Sequence, residues 1–284
     1  MPATTGRKYE ISSLTRLGSS GKVPVFPSRF PGFVVPARRF GADPMGGELA
    51  LLTFWSPKGG SGTSVIAAAC AVHASRILHC ARLVDLRGDQ PAILGLGNDP
   101  ETGVADWLAA GPTAPTDALD RLGVEIIPGL SLLPCGSTPS VLAPATSAEA
   151  GAGLAVALRD GPLTIVDAGV PDDAVARAVL EVSDATMLVT RECYVSLRRA
   201  VRHPGTARSF GLVVLQEPGR SLGPSDLSQV LGRPVVARIP TRDSVARAVD
   251  AGTFPTRLPD PMARAAAQIL RELGYATNRK GAAA

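Results

Sequence analysis

Aromatic residues are scarce in this chain, at 4% of 284 residues. A core must therefore be packed from aliphatic side chains and alanine. Cysteine is scarce as well: Cys70, Cys80, Cys135 and Cys193 are the four present, and none forms a C-x-x-C pair. That excludes a disulfide framework and a cysteine zinc knuckle as organising devices. Buried free thiols in a reducing compartment are expected instead. The three histidines, His73, His79 and His203, show neither metal nor catalytic spacing. No apolar run approaches the ~18 residues that cross a bilayer. The N-terminus carries no continuous apolar core of a signal peptide. A cytoplasmic protein is expected.

Net charge is low, at +4, and unevenly spread. Residues 1–44 hold Arg7, Lys8, Arg16, Lys22, Arg29, Arg38 and Arg39 against Glu10 and Asp43, a balance of +5 that leaves −1 for the remainder. The basic character belongs to this tail, so whole-chain charge gives no argument for nucleic-acid binding. The same 44 residues hold six Pro and five Gly, which interrupt any helix or strand period. A disordered tail over 1–44 is the reading, with a basic tether or a partner-binding peptide as the alternatives. The last residues, 276–284, read as a second, short flexible tail.

What the chain does have, from residue 45 to 275, is alternation. Short apolar runs such as "LALLTFW" ending at Trp55, "ARLVD" (81–85), "GLSLLPCG" (129–136), "LTIVD" (163–167), "ATMLVT" (185–190), "GLVVLQ" (211–216) and "PVVARIP" (234–240) alternate with helical patterns. The helical patterns begin with an Ala-rich one from Ser64 and end with ones near 241–251 and 261–274. Apolar strands alternating with helices predict an α/β three-layer sandwich, a mostly parallel sheet with helices on both faces.

Between the first strand and first helix lies "SPKGGSGTS" (56–64). Gly59, Gly60 and Gly62 let backbone N–H groups crowd an anion. The following helix adds its positive N-terminal end. Ser64 supplies the hydroxyl that a P-loop places on Mg²⁺. The alternative is an ordinary glycine-rich turn. Thr63 stands where a standard P-loop has its lysine, and the loop's lysine, Lys58, comes at its start.

This K-G-G-x-G-T-S pattern resembles the deviant Walker A motif of the ParA/MinD-type P-loop ATPases. The resemblance spans roughly residues 47–275. It implies ATP with Mg²⁺ in a nucleotide-sandwich homodimer, with Lys58 reaching the partner's phosphates. Cofactor-binding residues would be Lys58, Gly59, Gly60, Ser61, Gly62, Thr63 and Ser64. The ending at Thr63–Ser64 is similar to the TadZ/CpaE branch, which localises Flp pilus assemblies.

Three further segments carry the likeness. In "LVDLRGDQPAILGL" (83–96), Asp85 fits the first place of the family's Asp-x-Asp, but Arg87 fills the second and Asp89 follows. Asp89 reads either as a substitute carboxylate or as a helix N-cap. In "LTIVDAGVP" (163–171), Asp167 ends a strand beside the ligand crevice and resembles the Walker B acid. "AGVP" resembles switch II, which senses the terminal phosphate. Ser64, Asp85 and Asp167 are thus the candidate Mg²⁺ set, with Lys58, Asp85 and Asp89 the candidate catalytic set. "VLQEPGR" and "ARIPTRDSVARAVDAG" resemble segments bordering adenine, with Pro240 as the named residue.

The resemblance implies a nucleotide-dependent positioning protein whose hydrolysis is slow or absent, because Thr63 and Arg87 depart from the pattern. Its implied partners are ATP or ADP, a second copy, and a polar pilus or secretion assembly. Two alternatives remain open: a ParA-type ATPase for DNA partitioning or septum placement, and a nucleotide-free scaffold. Arg198, Arg199 and Arg202 would serve nonspecific DNA binding, but a solvated helix face is favoured. The chain after Tyr275 has no large apolar residues opposite Lys and Arg, so an amphipathic membrane anchor is not expected.

Overall fold

The computed structural model describes residues 49–111, 116–136 and 148–275. The readings for residues 1–44 and 276–284 lie outside the described residues. The sheet runs β1 (Leu51–Trp55), β2 (Ala81–Asp85), β3 (Val124–Ile127), β4 (Leu130–Leu133), β5 (Thr164–Gly169), β6 (Ala185–Arg191), β7 (Gly211–Gln216) and β8 (Val235–Pro240). Spatial order is β3-β4-β2-β5-β1-β6-β7-β8. Every pairing is parallel except β3 with β4.

The central strands are apolar throughout because both faces are covered. Along β1, Leu52 and Phe54 face one core, while Leu51 and Trp55 face the other. The first core takes α1 (Thr63–Leu78), α2 (Gln90–Ile93), α10 (Asp243–Asp250) and α11 (Asp260–Glu272). The second takes α3 (Val104–Ala110), α4 (Thr116–Arg121), α5 (Ala148–Ala157), α6 (Ala174–Val182), α7 (Tyr194–Arg202) and α9 (Pro224–Leu231). A short α8 (Gly205–Arg208) precedes β7. Alanine makes α1 thin, with Ala67, Ala68, Ala69, Ala71 and Ala74 all buried. This is the predicted three-layer α/β architecture.

The edge departs from the sequence reading. "GLSLLPCG" gives a strand of four residues, Leu130–Leu133, paired antiparallel with β3. β3 was not anticipated because it is short, partly exposed and interrupted by an irregular register near Glu125. Pro128 and Gly129 turn the chain between the two. Gly129 has φ +80°, and a Cβ there would stand 2.5 Å from the His79 carbonyl. The expectation of buried thiols also needs correcting: Cys70 and Cys135 are buried, Cys193 is half-buried and Cys80 is exposed, since it ends the α1–β2 turn.

The sheet's carboxyl edge assembles the site. β1 lies between β5 and β6, but its chain leaves through α1 to β2, beyond β5. Loops diverge at such a switch point and leave a crevice.

Candidate functional site

The loop after β1 is wound by its own hydroxyls. Ser56 Oγ and Ser61 Oγ both donate to the Lys58 carbonyl, at 2.9 and 3.0 Å. Ser56 N donates to the Gly169 carbonyl at 2.7 Å, tying the loop to the end of β5. Gly60 and Gly62 take φ +72° and +77°, the left-handed region. Gly62 is also the N-cap of α1 and has no side chain to cap it. A helix start without a capping side chain leaves amide donors for an anion. They border a cavity of about 490 Å³. Gly59, Gly60, Ser61, Gly62, Thr63 and Ser64 all line it.

Lys58 does not line the cavity; its Nζ donates to the Gly59 carbonyl at 2.9 Å. Thr63 is buried at the first position of α1. Ser64 Oγ donates to Asp89 Oδ2 at 3.3 Å. Asp89 does not cap α2 with its side chain. It occupies the N-cap position of that helix, while its carboxylate meets Ser64 and lines the cavity.

The strand-end acids stand side by side, because the β2–β5 register pairs Asp85 with Asp167. Asp85 is fully buried and commits both oxygens to the backbone. Oδ1 accepts from Arg87 N and Gly88 N at 2.8 Å each, and Oδ2 from Gln90 N at 2.9 Å. Its carboxylate organises the 86–90 turn. Asp167, equally buried, accepts from Gly169 N at 3.1 Å and from Gln90 Nε2 at 2.8 Å. Burial and, second, the Asp85 charge push the Asp167 carboxyl up to about 6. Burial also raises Asp85, against the pull of its three amides.

Sequence reasoning missed Gln90. It is fully buried, its Nε2 bridges Asp167 to the Ser64 carbonyl (3.0 Å), and its Oε1 has no partner. An amide residue heading the otherwise apolar run "QPAI" was the available signal. Gly169, Val170 and Asp172, from the segment read as switch-like, line the cavity with Arg87 and Ile93. Pro240 ends β8 opposite Gln216, on the same sheet edge but outside the cavity lining.

The donor set suits a hard cation. A Ser64 hydroxyl, the Asp89 and Asp167 carboxylates and an orphaned amide oxygen on Gln90 are all oxygen ligands or their neighbours. Two adjacent buried carboxylates, each with a raised pKa, are the environment that a divalent charge relieves. Among the described residues no group of three or more His, Cys, Asp or Glu forms a protein-only metal cage. Mg²⁺ is typically held by one or two carboxylates together with phosphate oxygens, so the residues fit the ion alongside a nucleotide.

No family model and no curated protein sequence matches this chain. Solved structures do. A ParA family ATPase from Chlorobium tepidum superposes with TM-score 0.64 at 24% identity, covering 76% of this chain and 96% of that one. The septum site-determining protein MinD of Pyrococcus horikoshii, complexed with Mg-ADP, gives 0.66 at 16%, covering 79% and 95%. A putative plasmid partition protein from Borrelia burgdorferi, bound to AMPPNP, gives 0.62 at 16%, covering 80% and 98%. At these identities the likeness speaks for the fold, which is that of the ParA/MinD-type P-loop ATPases.

Proposed function

We propose that this protein binds ATP with Mg²⁺ and uses it to switch between monomer and homodimer, in the manner of ParA/MinD-type positioning proteins. The observation that carries the reading is the cavity at the start of α1, walled by Gly59–Ser64, with Gly60 and Gly62 in the left-handed region. MinD bound to Mg-ADP and the partition protein bound to AMPPNP share the fold, which supports nucleotide at this edge.

The 59–64 amides would hold the α- and β-phosphates. Ser64, Asp89 and Asp167 would hold Mg²⁺, with Asp85 fixing the turn that presents Asp89. Bound Mg²⁺ would supply charge neutralisation on phosphate oxygens. Gln90 would keep Asp167 aimed at the ion. Lys58, which does not line its own cavity, would complete the partner's site, as the resemblance implies. Pro240 and the ends of β7 and β8 would border the base.

Hydrolysis would be slow or absent. Thr63 puts no cation beside the transferring group, and electrostatic stabilisation is most of phosphoryl-transfer catalysis. Arg87 stands where the family pattern has a water-positioning carboxylate. The role that the TadZ/CpaE likeness adds is placement of a pilus or secretion assembly, at a pole or on the membrane through a partner. A second reading, DNA positioning, is favoured by one observation: Arg198, Arg199 and Arg202 are all exposed on α7.

Sedimentation velocity tests the switch. A shift to dimer with Mg-ATP but not with Mg-ADP is expected; an unchanged monomer in both would refute it. Salt-sensitive DNA binding, lost when the three α7 arginines become glutamine, would move the role to DNA.

A further inference from the structure

Arg87 is the single cation among the described residues lining the cavity, set against two carboxylates, Asp89 and Asp172. Its three bonds are unequal. Nε donates to the Ala168 carbonyl at 2.8 Å, and Nη2 to Asp173 Oδ2 at 2.9 Å. Asp173 is itself fixed, since its Oδ1 caps α6 by accepting from Ala176 N at 2.8 Å. Its side chain is 15% exposed. The third arm, Nη1, reaches Asp172 Oδ1 at 3.0 Å, and that side chain is 73% exposed. Two arms are anchored; the third is held by a carboxylate that water screens, and such pairs bind weakly.

The stem of Arg87 lies across the cavity wall. Gly169 has φ +51°, and a Cβ there would come within 2.7 Å of Arg87 Cγ. Glycine at 169 therefore lets the guanidinium reach the cavity from the β2 side. A triphosphate entering would bring its charge against Asp172 and toward this guanidinium. A planar guanidinium pairs with phosphate through two parallel N–H donors.

We propose that Arg87 is the residue that binds the terminal phosphate of ATP: Nη1 leaves Asp172 for that phosphate. The assignment rests on the nucleotide reading above. It makes Arg87 a device for telling ATP from ADP. It also couples the phosphate to the 168–173 segment, because the same guanidinium holds Ala168 and Asp173.

The test is calorimetric: dissociation constants for Mg-ATP and Mg-ADP with the wild type, Arg87→Gln, Arg87→Lys and Asp172→Asn. Arg87→Gln is expected to weaken ATP roughly tenfold, about 1.4 kcal/mol, and to leave ADP nearly unchanged. Arg87→Lys should recover part of the loss, and Asp172→Asn, which removes only an exposed competitor, should tighten ATP. Equal effects of Arg87→Gln on both nucleotides, or no effect on either, would overturn the assignment. So would weakening of ATP by Asp172→Asn, which would make the ion pair structural. If the wild type binds neither nucleotide, the functional reading fails and this one falls with it. Wild-type ATP binding with an unaltered ATP-to-ADP ratio in Arg87→Gln overturns this one alone.

Discussion

Replacing the loop glycines one at a time by alanine separates the backbone requirement from mere glycine content. Gly62 has φ +77°, and a Cβ there would lie 2.9 Å from Leu215 Cδ2. An L-residue in the left-handed region costs ~1–2 kcal/mol. Displacing the end of a flexible leucine adds ~0.5 kcal/mol or more. Stiffening the unfolded chain returns ~0.4–1 kcal/mol. Gly62→Ala should therefore destabilise by about 0.5–2 kcal/mol, by the sum of those terms. Gly60 has φ +72° but open space around its Cβ direction, so Gly60→Ala should cost about 0–1.6 kcal/mol, the backbone difference alone and less than Gly62→Ala by the Leu215 contact. Gly59 lies outside the left-handed region with nothing within 4 Å, and Gly59→Ala should be neutral or slightly stabilising. Urea denaturation of the three variants, read as midpoint shifts at constant slope, resolves the order. Equal losses, or Gly59→Ala as the worst of the three, would refute this account of the loop.

The remaining predictions concern charge. The folded protein holds the Asp167 proton with a pKa of about 6, above the unfolded value of ~3.9. The stability that this proton brings is complete below pH ~4 and lost as pH rises through ~6. Asp167→Asn should thus be more stable than wild type at pH 8, by up to ~3 kcal/mol, and match it near pH 4; equal unfolding midpoints at pH 8 would contradict the shift. Gln90, with an unpartnered Oε1, can turn its amide to accept from the side-chain N–H that this substitution introduces. Thr63→Lys should tighten ATP binding about tenfold, the low end of a charged hydrogen bond. An unchanged dissociation constant would mean position 63 does not face phosphate. Lys58→Ala should leave ATP binding to the monomer intact and abolish ATP-dependent dimerisation in sedimentation; a normal dimer would remove Lys58 from the partner's site.

The fold was legible because burial on both faces writes itself as period: apolar runs for strands, longer mixed stretches for helices. The glycine turns of the 56–64 loop were legible because the left-handed conformations at Gly60 and Gly62 favour glycine. β3 was not, since an edge strand with one exposed side carries neither a full apolar run nor a clean alternation. Asp85 shows a different limit. Its position at a strand end marks it as an acid facing the crevice, yet three backbone amides claim its oxygens. That depends on the path of the 86–90 turn, which no local pattern encodes. Arg87 could be read only as the loss of a carboxylate; its reach to Asp172 and Asp173 needs residues some 85 positions away.

Titration of Mg-ATP into the purified protein by calorimetry, paired with thermal unfolding, tests the central claim that this cavity holds a nucleotide. Saturable binding is predicted, with stabilisation of ~2.7 kcal/mol at a hundredfold excess over the dissociation constant and a melting rise of about 5–10 °C. No heat and no rise in melting temperature would contradict it.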